Sequence, residues 1–261
     1  LPFTIVGGGT NLLVGDDGIA GIVVTLMPYY RTICMGDQAG DTAVVTVLAG
    51  ATTHALCRFA IRQGLAGMNF ALGIPGTVGG AVVMNAGTAG GCMHDVVTQL
   101  TVMTAEGVIR TYPAAELKFD YRHLSLPGLG GASPGGGATI LEACFQLTAA
   151  DRQQLQHQAG VLLSERRRRQ PTRRPSAGCF FKNPDVGPAA GQLIDGAGLK
   201  GKRLGGACVS TVHGNFIVNA GGASAEDILQ LMHLVQNAVA DKYHVNLTPE
   251  VVIIGAPGHG Q

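Results

Sequence analysis

A cationic run and a cysteine stand next to each other in the segment RRRRQPTRRPSAGCFFKNP, residues 166–184. Six arginines fall within the nine residues 166–174, and Cys179 follows between Gly178 and Phe180. Concentrated positive charge favours an anionic partner, whereas a thiol placed after a turn can act as an acid or a nucleophile. The two features could serve one site, or the arginines could be the solvated end of a helix.

Two glycine-rich segments, GGGTN (7–11) and GIPGTVGG (73–80), have the composition of phosphate-binding loops. Neither is a Walker A loop, because no Gly-Lys-Ser/Thr occurs, and neither is followed by the helical pattern of a dinucleotide fingerprint. Glycine lets successive backbone N–H groups approach an anion closely, so two such loops in one domain could hold the two phosphates of a dinucleotide. The alternative for each segment is a tight turn in a β-rich fold.

The composition excludes several classes of protein. The 261 residues carry a net charge of +1, and only 13% of them are charged, so no overall field favours nucleic acid or a membrane surface. No apolar run reaches the length of about 18 residues that a transmembrane helix needs. The six cysteines show neither paired nor metal-ligand spacing, which predicts reduced thiols in a cytoplasmic protein without a metal site; they are Cys34, Cys57, Cys92, Cys144, Cys179 and Cys208.

Short runs rich in β-branched residues dominate the first half of the chain. They predict strands at residues 3–8, 21–26, 43–50, 81–87 and 139–147. The segment 99–112 contains two such runs divided by Glu106-Gly107, and therefore predicts a β-hairpin.

Helical spacing of apolar residues predicts three helices. The first lies within 51–65 and ends at Gly64, and the second covers 151–169, where four terminal arginines complement the helix dipole. The third begins at Ser224 with a near capping-box pattern. A strand at 251–255, a loop at 128–138 and a change of composition near residue 150 complete the predicted organisation.

Seven segments match one known family, in its order, along almost the whole chain. They are GGGTNLLV (7–14), GMNFALGIPGTVGGAVVMNAG (67–87), FDYRHLSL (119–126), PSAGCFFKNP (175–184), AGQLIDGAGLKG (190–201), VSTVHGNFIVN (209–219) and LTPEVVIIG (247–255). In these segments the chain resembles the UDP-N-acetylenolpyruvoylglucosamine reductase (UDP-N-acetylmuramate dehydrogenase) family, flavoproteins of bacterial cell-wall precursor synthesis. GIPGTVGGAVVMNAG and SAGCFFKNP are each long enough to be specific.

The resemblance implies an α+β fold. Residues 1–148 would form an FAD-binding domain of the vanillyl-alcohol-oxidase/PCMH type, and residues 149–261 an α+β substrate-binding domain. It also implies a cytoplasmic monomer that binds neither nucleic acid nor membrane. Family members have an upstream segment that completes the FAD domain. Because the chain opens inside a predicted strand and without methionine, we expect a fragment that lacks this segment, and the sequence does not decide whether it retains FAD and activity.

The family reaction implies FAD and NADPH as cofactors and a UDP-sugar as substrate. NADPH reduces the flavin, and hydride then passes to the enolpyruvyl ether of the UDP-sugar to give UDP-N-acetylmuramate for peptidoglycan synthesis. The resemblance assigns cofactor binding to Gly7, Gly8, Gly9, Thr10, Asn11, Leu12, Gly73, Ile74, Pro75, Gly76, Thr77, Gly79, Gly80, Asn85, Ala86 and Gly87. It assigns substrate binding to Tyr121, Arg173, Arg174, Lys182 and Asn183.

Three residues carry the chemistry by the same resemblance: Cys179, Arg122 and Glu250. A guanidinium such as Arg122 can hold an enolate-like dianion through a forked contact. Glu250 could donate a hydrogen bond if protonated, or orient Arg122. Cys179 matches the position of the family's proton donor, and a thiol with an ordinary pKa of about 8.5 is still mostly protonated near neutrality.

The arginine run conflicts with this role for Cys179. Nearby cations favour the thiolate, and a thiolate has no proton to donate. We therefore expect the arginines either to lie away from Cys179 or to be offset by negative charge on the substrate and the reduced flavin. Arg166–Arg169 are predicted to form a solvated helix end, whereas Arg173 and Arg174 adjoin the cysteine motif and are predicted to approach the ligand.

Two other functions remain open at this point. One is a different FAD-dependent oxidoreductase on the same scaffold, although GIPGTVGG together with SAGCFFKNP argues against it. The other is a non-enzymatic module that binds anions or nucleic acid through Arg166–Arg174. Such modules usually interleave aromatic and basic residues or spread the charge over a face, and this run does neither.

Overall fold

The computed structural model describes residues 1–127, 130–131 and 137–255. The chain divides into two compact units. Unit 1 comprises Leu1–Gly8 and Gly21–Ser164, and unit 2 comprises Gly9–Ala20 and Glu165–Gln261. The predicted domain boundary between residues 148 and 149 stays a prediction.

The described residues contain five α-helices and 18 β-strands, which confirms the predicted α+β class. The helices are α1 (Thr53–Arg62), α2 (Val78–Val83), α3 (Arg152–Arg169), α4 (Ala190–Gly196) and α5 (Ala225–Tyr243). The strands of the first half are β1 (Phe3–Val6), β2 (Leu12–Val14), β3 (Ile22–Thr25), β4 (Ile33–Ala39), β5 (Thr42–Leu48), β6 (Leu65–Ala66), β7 (Gly87–Thr88), β8 (Gly91–Cys92), β9 (Val97–Thr104) and β10 (Ile109–Pro113). The remaining strands are β11 (Lys118–Asp120), β12 (His123–Leu126), β13 (Gly130–Gly131), β14 (Ala138–Ala149), β15 (Arg203–Leu204), β16 (Ala207–Val209), β17 (Ile217–Asn219) and β18 (Val252–Ile254).

Unit 1 is built on an antiparallel sheet in the order β10-β9-β14-β5-β4, with β6 also paired to β14. Alternation in the sequence explains how its central strand is buried. Ala43, Val45 and Val47 of β5 face the core, and the residues between them are only partly covered. The predicted hairpin at 99–112 is confirmed, because β9 and β10 pair in antiparallel register on either side of Glu106-Gly107.

The helix predicted between residues 51 and 65 is confirmed as α1. The Thr52 hydroxyl accepts a hydrogen bond from the backbone N–H of Ala55 (3.1 Å), which satisfies one of the unpaired donors at the helix start. Leu56, Cys57 and Ala60 are buried on one face of the helix. Gly64 follows the helix with a φ of +67°, as expected of a residue just past a helix end.

The strand predicted at residues 81–87 is wrong, because most of this segment belongs to α2 and to the turn that follows it. The Thr77 hydroxyl caps the helix by accepting from the N–H of Gly80 (3.2 Å). Gly79 brings the helix so close to β5 that an added Cβ would lie 2.9 Å from the Cβ of Ala49. Packing of a short capped helix on the sheet thus overrides the β preference of its valines.

Unit 2 combines α4 and α5 with the antiparallel sheet β15-β16-β17 and the parallel pair β2-β18. The predicted capping box of α5 is confirmed. The N–H of Asp227 donates to the Ser224 hydroxyl (3.0 Å), and the N–H of Ser224 donates to the Asp227 carboxylate (3.2 Å). Asp16 also accepts from the N–H of Ala225 (2.7 Å), which attaches the segment 9–20 to the start of α5.

Most of the other predicted elements are observed. The strands predicted at 3–8, 21–26, 43–50, 139–147 and 251–255 correspond to β1, β3, β5, β14 and β18, and the helix predicted at 151–169 corresponds to α3. Most of the predicted loop 128–138 lies outside the described residues, and its residues 130–131 form β13. Within the described ranges, each helix is too short or too polar to span a bilayer.

Candidate active site

The side chain of Asn215 holds the segment that carries Cys179, because it bonds to the backbone of Phe181 as a neighbouring β-strand would. The Asn215 carboxamide accepts from the N–H of Phe181 (2.9 Å) and donates to the carbonyl of the same residue (2.8 Å). The N–H of Phe180 donates to the Asn215 carbonyl (2.8 Å). Phe180, Phe181 and Asn215 are all buried, so Cys179 projects from a fixed backbone.

Glu250 lies on the strand-like segment paired with the other edge of this backbone. The N–H of Glu250 donates to the Phe180 carbonyl (2.8 Å), and Phe181 forms an isolated antiparallel bridge with Pro249. The Asn11 side chain donates to the Glu250 carbonyl (3.1 Å), because β2 and β18 lie side by side. Cys179 and Glu250, predicted from positions 71 residues apart, are therefore brought together in unit 2.

Cys179 is half-buried and lies against a small apolar cluster formed by Cys208, Phe216 and Val218. An apolar surrounding disfavours the charged form of a thiol. The side chain of Cys179 is nevertheless partly exposed, so a substrate could reach its thiol.

Arg166 departs from the prediction of a wholly solvated helix end. Arg167, Arg168 and Arg169 are exposed at the end of α3, whereas Arg166 is half-buried. Burial lowers the pKa of Arg166, and Cys179 is near enough to oppose this through its negative thiolate form. The prediction of a solvated helix end is thus wrong for Arg166, because residue 166 is on the inner face of the last turns of α3 while the next three are not. Of the two alternatives for the arginine run, distance from Cys179 does not hold for Arg166, and an offset by substrate and flavin charge stays a prediction.

Arg122 stands at the turn between β11 and β12, in unit 1. Its φ of +58° is uncommon for a residue with a side chain and is one of three such cases outside glycine in the described chain. Its guanidinium donates to the carbonyl of Gly87 (3.2 Å) and lies 4.8 Å from the ring centre of Tyr121. A strained backbone that aims a cation in this way is typical of a functional position.

A second contact joins the same turn to the segment Asn85–Gly87. The side chain of Asn85, which is buried, donates to the Asp120 carbonyl (3.1 Å) and accepts from the N–H of His94 (3.1 Å). Its φ of +39° is also positive. The predicted cofactor residues Asn85 and Gly87 are therefore linked directly to the predicted catalytic Arg122.

The two glycine-rich loops have the backbone freedom that close approach to a phosphate requires. Gly73 and Gly76 have φ values of +77° and +107°, and Gly9 has +67°. A Cβ on Gly7 would lie 2.5 Å from the Thr77 hydroxyl, so the first loop passes against the cap of α2 within unit 1. The division between the units falls inside the first loop, between Gly8 and Gly9. Glycine at these positions fits a bound dinucleotide phosphate.

The predicted substrate-binding residues have mixed surroundings. Arg173, Arg174 and Asn183 are exposed, and Lys182 is half-buried. The Asn183 carboxamide oxygen accepts from the N–H of Ala190 (3.1 Å) at the start of α4, so this side chain also stabilises a helix end. Tyr121 is 48% exposed.

Sequence reasoning missed the importance of Arg166 and the geometry around Asn215. Helical spacing alone gave no way to tell Arg166 from the three arginines that follow it. For Asn215, an amide placed directly before the apolar run Phe216–Val218 was a usable signal and favours a structural role, because a carboxamide that is buried with its neighbours must bond to something.

Comparisons with known proteins cover both units. A family model described as an FAD binding domain matches residues 1–112, and one described as the C-terminal domain of UDP-N-acetylenolpyruvoylglucosamine reductase matches residues 170–254. The reductase of that name from Desulfosudis oleivorans is 49% identical over 98% of this chain and 81% of its own length, and that from Synechococcus elongatus is 42% identical over 97% and 80%. The solved structure of the reductase from Thermus caldophilus superimposes with a TM-score of 0.81 at 37% identity, and covers 97% of this chain and 85% of its own.

Proposed function

The chain belongs to the UDP-N-acetylenolpyruvoylglucosamine reductase family, and we propose that it uses NADPH and FAD to reduce the enolpyruvyl group of that UDP-sugar to UDP-N-acetylmuramate. The observation that carries the proposal is the fixed backbone that presents Cys179 beside Glu250 in the region matched by the reductase's own C-terminal domain. We assign cofactor binding to residues 1–148 and substrate binding to residues 149–261.

FAD is supported by the match to its family model and by the two glycine-rich loops, whose positive φ values and close approach at Gly7 leave little room for side chains. The residues proposed to hold it are those of segments 7–12 and 73–80, together with Asn85, Ala86 and Gly87. When bound, FAD supplies the hydride that NADPH provides.

Arg122 is proposed to stabilise the charge that develops on the substrate. Hydride addition to the terminal carbon of an enolpyruvyl group leaves negative charge on the adjacent carbon and its carboxylate. A fixed guanidinium is suited to that charge because it needs no reorganisation, and losing one such donor typically costs about 2.7–4 kcal/mol of transition-state stabilisation. The hydrogen bond to Gly87 and the contact with Tyr121 fix the direction of the Arg122 side chain.

Cys179 is proposed to complete the reaction as a proton donor. Its S–H bond breaks, the proton goes to the carbanionic carbon of the substrate, and a thiolate remains that later recovers a proton from water. The thiol is the acid here and forms no covalent bond to the substrate.

Arg166 is proposed to stabilise the thiolate of Cys179 that the proton transfer produces. A guanidinium near Cys179 stabilises the thiolate that the proton transfer leaves behind, which makes the thiol a stronger acid. The apolar cluster of Cys208, Phe216 and Val218 acts in the opposite direction and favours the neutral thiol before the transfer. We propose that the balance between the two keeps Cys179 protonated until the substrate takes its proton.

The remaining assignments rest on resemblance and exposure. Glu250 is proposed to orient or hydrogen-bond the substrate carboxylate, and Tyr121, Arg173, Arg174, Lys182 and Asn183 to contact the UDP-sugar. A cytoplasmic location, a monomeric state and the lack of a nucleic-acid partner remain predictions of this assignment.

Anaerobic spectroscopy tests the function directly. NADPH should bleach the flavin absorbance of the FAD-loaded protein, and the enolpyruvyl UDP-sugar should restore it with formation of UDP-N-acetylmuramate. Reduced flavin that molecular oxygen reoxidises and the enolpyruvyl sugar does not would instead favour another flavin oxidoreductase of this scaffold.

A further inference from the structure

Three potential metal ligands converge at the turn that includes β8, and none of them is assigned a role above. The thiol of Cys92, a ring nitrogen of His94 and a carboxylate oxygen of Asp95 all lie within 4.8 Å of one another. Spacing along the sequence did not predict this, because Cys92, His94 and Asp95 match none of the common patterns of paired cysteines and histidines. The two latter side chains are 63% and 52% exposed, so an ion can reach them from solvent.

The positions of the carboxylate and the imidazole are already constrained. One oxygen of Asp95 accepts from the N–H of Cys92 (2.8 Å), and its other oxygen faces Nδ1 of His94 at 3.7 Å. The His94 ring packs at 5.4 Å from the ring of Phe119, and its backbone N–H donates to the buried side chain of Asn85 (3.1 Å). Such supporting contacts orient metal ligands in known sites.

From this arrangement we propose that Cys92, His94 and Asp95 form a Zn²⁺ site with one position left for water or another ligand. Thiolate, imidazole and carboxylate are the three side-chain ligands that zinc takes in proteins, and three protein ligands with an open position are sufficient. Bonds of about 2.0–2.3 Å place tetrahedral ligands roughly 3.3–3.8 Å apart. The donors of His94 and Asp95 are 3.7 Å apart, so they need to close by only a few tenths of an ångström to reach the roughly 3.3–3.5 Å expected for a nitrogen and an oxygen on one zinc ion.

Binding must displace a proton from Cys92. Zinc binds the thiolate form of cysteine, so binding releases that proton to solvent.

The site would be coupled to the proposed cofactor segment. Cys92 pairs with Gly87 in the β7–β8 ladder, and the N–H of Met93 donates to the carbonyl of Ala86 (3.1 Å). Zinc at this turn would therefore restrain residues 85–87, one of which also accepts the hydrogen bond of Arg122.

Cobalt, which replaces zinc and is coloured, provides the test. Co²⁺ added to the untagged, FAD-loaded protein should give a difference spectrum with a thiolate-to-cobalt charge-transfer band and tetrahedral d–d bands, saturating at one equivalent and displaced by Zn²⁺. Cys92→Ser should abolish the charge-transfer band, and His94→Gln should weaken binding at least about tenfold, since even supporting contacts of a metal site are worth that much. Cys34→Ser, at an exposed cysteine in β4, is the matched control and should leave the spectrum unchanged.

Thermal unfolding provides an independent reading. Zn²⁺ should raise the midpoint of the wild-type protein as its concentration increases, and should not raise that of Cys92→Ser. A charge-transfer band that persists in Cys92→Ser, or a cobalt spectrum without thiolate character in the wild-type protein, would overturn the proposal. Neither outcome depends on whether the protein reduces the enolpyruvyl sugar.

Discussion

Asn215 takes the place of a neighbouring strand beside Phe181. Its carboxamide oxygen accepts from the N–H of Phe181 at 2.9 Å, and its amide nitrogen donates to the carbonyl of Phe181 at 2.8 Å. Because both residues are buried, water cannot replace either bond. The Asn215 side chain therefore helps to fix the position of Cys179, two residues earlier in the chain, together with the backbone bonds of Phe180.

Asn215→Ala should destabilise the protein strongly. The substitution leaves a buried N–H and a buried C=O without partners, each of which costs about 1–3 kcal/mol. In urea unfolding, the free energy of unfolding should fall by roughly 2–5 kcal/mol. Asn215→Asp keeps the acceptor and loses the donor, so its stability should lie between those of the wild-type protein and Asn215→Ala.

The matched control for Asn215 is Asn219→Ala in the same unit. The side-chain oxygen of Asn219 accepts from Gly221 and Ala223 in the loop before α5, and does not hold the cysteine segment. The Asn219→Ala variant should lose about 1 kcal/mol of stability and keep the wild-type rate of substrate reduction. Equal stability losses in the two alanine variants would contradict the role assigned to Asn215.

Arg166→Gln should make Cys179 less reactive toward alkylation. Without the guanidinium the thiolate is less stable, so the rate of modification by iodoacetamide at fixed pH should fall below that of the wild-type protein. Mass spectrometry of the peptide containing Cys179 measures this rate without recourse to turnover.

Arg167→Gln removes an exposed arginine one residue away and should leave that alkylation rate unchanged. If the two glutamine variants react alike, Arg166 does not influence Cys179. In that case the burial of Arg166 has only a packing role.

Elements with local signals could be predicted from the sequence, and those set by distant contacts could not. Glu106-Gly107 marked the β9–β10 hairpin, and Ser224 with Asp227 marked the start of α5. The parallel pairing of β2 with β18 joins the two ends of the chain, and no local pattern indicates it. The valines of α2 favour a strand, and only the Thr77 cap and the packing of Gly79 on Ala49 make the segment helical.

The same distinction applies to the site. A resemblance in motifs selected Cys179, Arg122 and Glu250. It did not show that Arg166 turns inward, because this depends on the rotation of α3 and on the residues that pack against its last turns. That information exists only in the folded chain.

Gly7→Ala should weaken FAD binding. The added Cβ would lie 2.5 Å from the Thr77 hydroxyl, which caps α2, so the first loop and the cap must move apart. We expect the dissociation constant for FAD, measured by quenching of flavin fluorescence on the apoprotein, to rise at least tenfold.

Gly160→Ala is the control for the same change elsewhere. Gly160 lies within α3, and a Cβ there meets nothing within 4 Å. This variant should gain about 0.5–1 kcal/mol of stability and bind FAD as the wild-type protein does. A normal FAD affinity in Gly7→Ala would refute close contact between the first loop and the cofactor.

His213 should make the protein sensitive to mild acid. Burial and the positive charge of Lys200 lower the pKa of His213 below its ordinary value of about 6.5. The unfolded chain therefore takes up a proton at higher pH than the folded one, so this contribution to stability is complete above pH of about 6.5 and is lost as the pH falls through that value.

His213→Asn should remove part of this dependence. The midpoint of thermal unfolding should decline less between pH of about 7.5 and 5.5 than in the wild-type protein. His54→Asn, at an exposed histidine, should keep the wild-type slope. An unchanged slope in His213→Asn would show that other groups cause the acid sensitivity.

The two half-reactions of Cys179 variants separate flavin reduction from proton donation to the substrate. In anaerobic stopped-flow measurements, Cys179→Ala should be reduced by NADPH at the wild-type rate and reoxidised by the enolpyruvyl UDP-sugar at least about 100-fold more slowly, as expected when a general acid is lost. Cys179→Ser, which keeps an O–H at this position, should recover much of the second rate. Reoxidation of Cys179→Ala at the wild-type rate would exclude Cys179 as the proton donor.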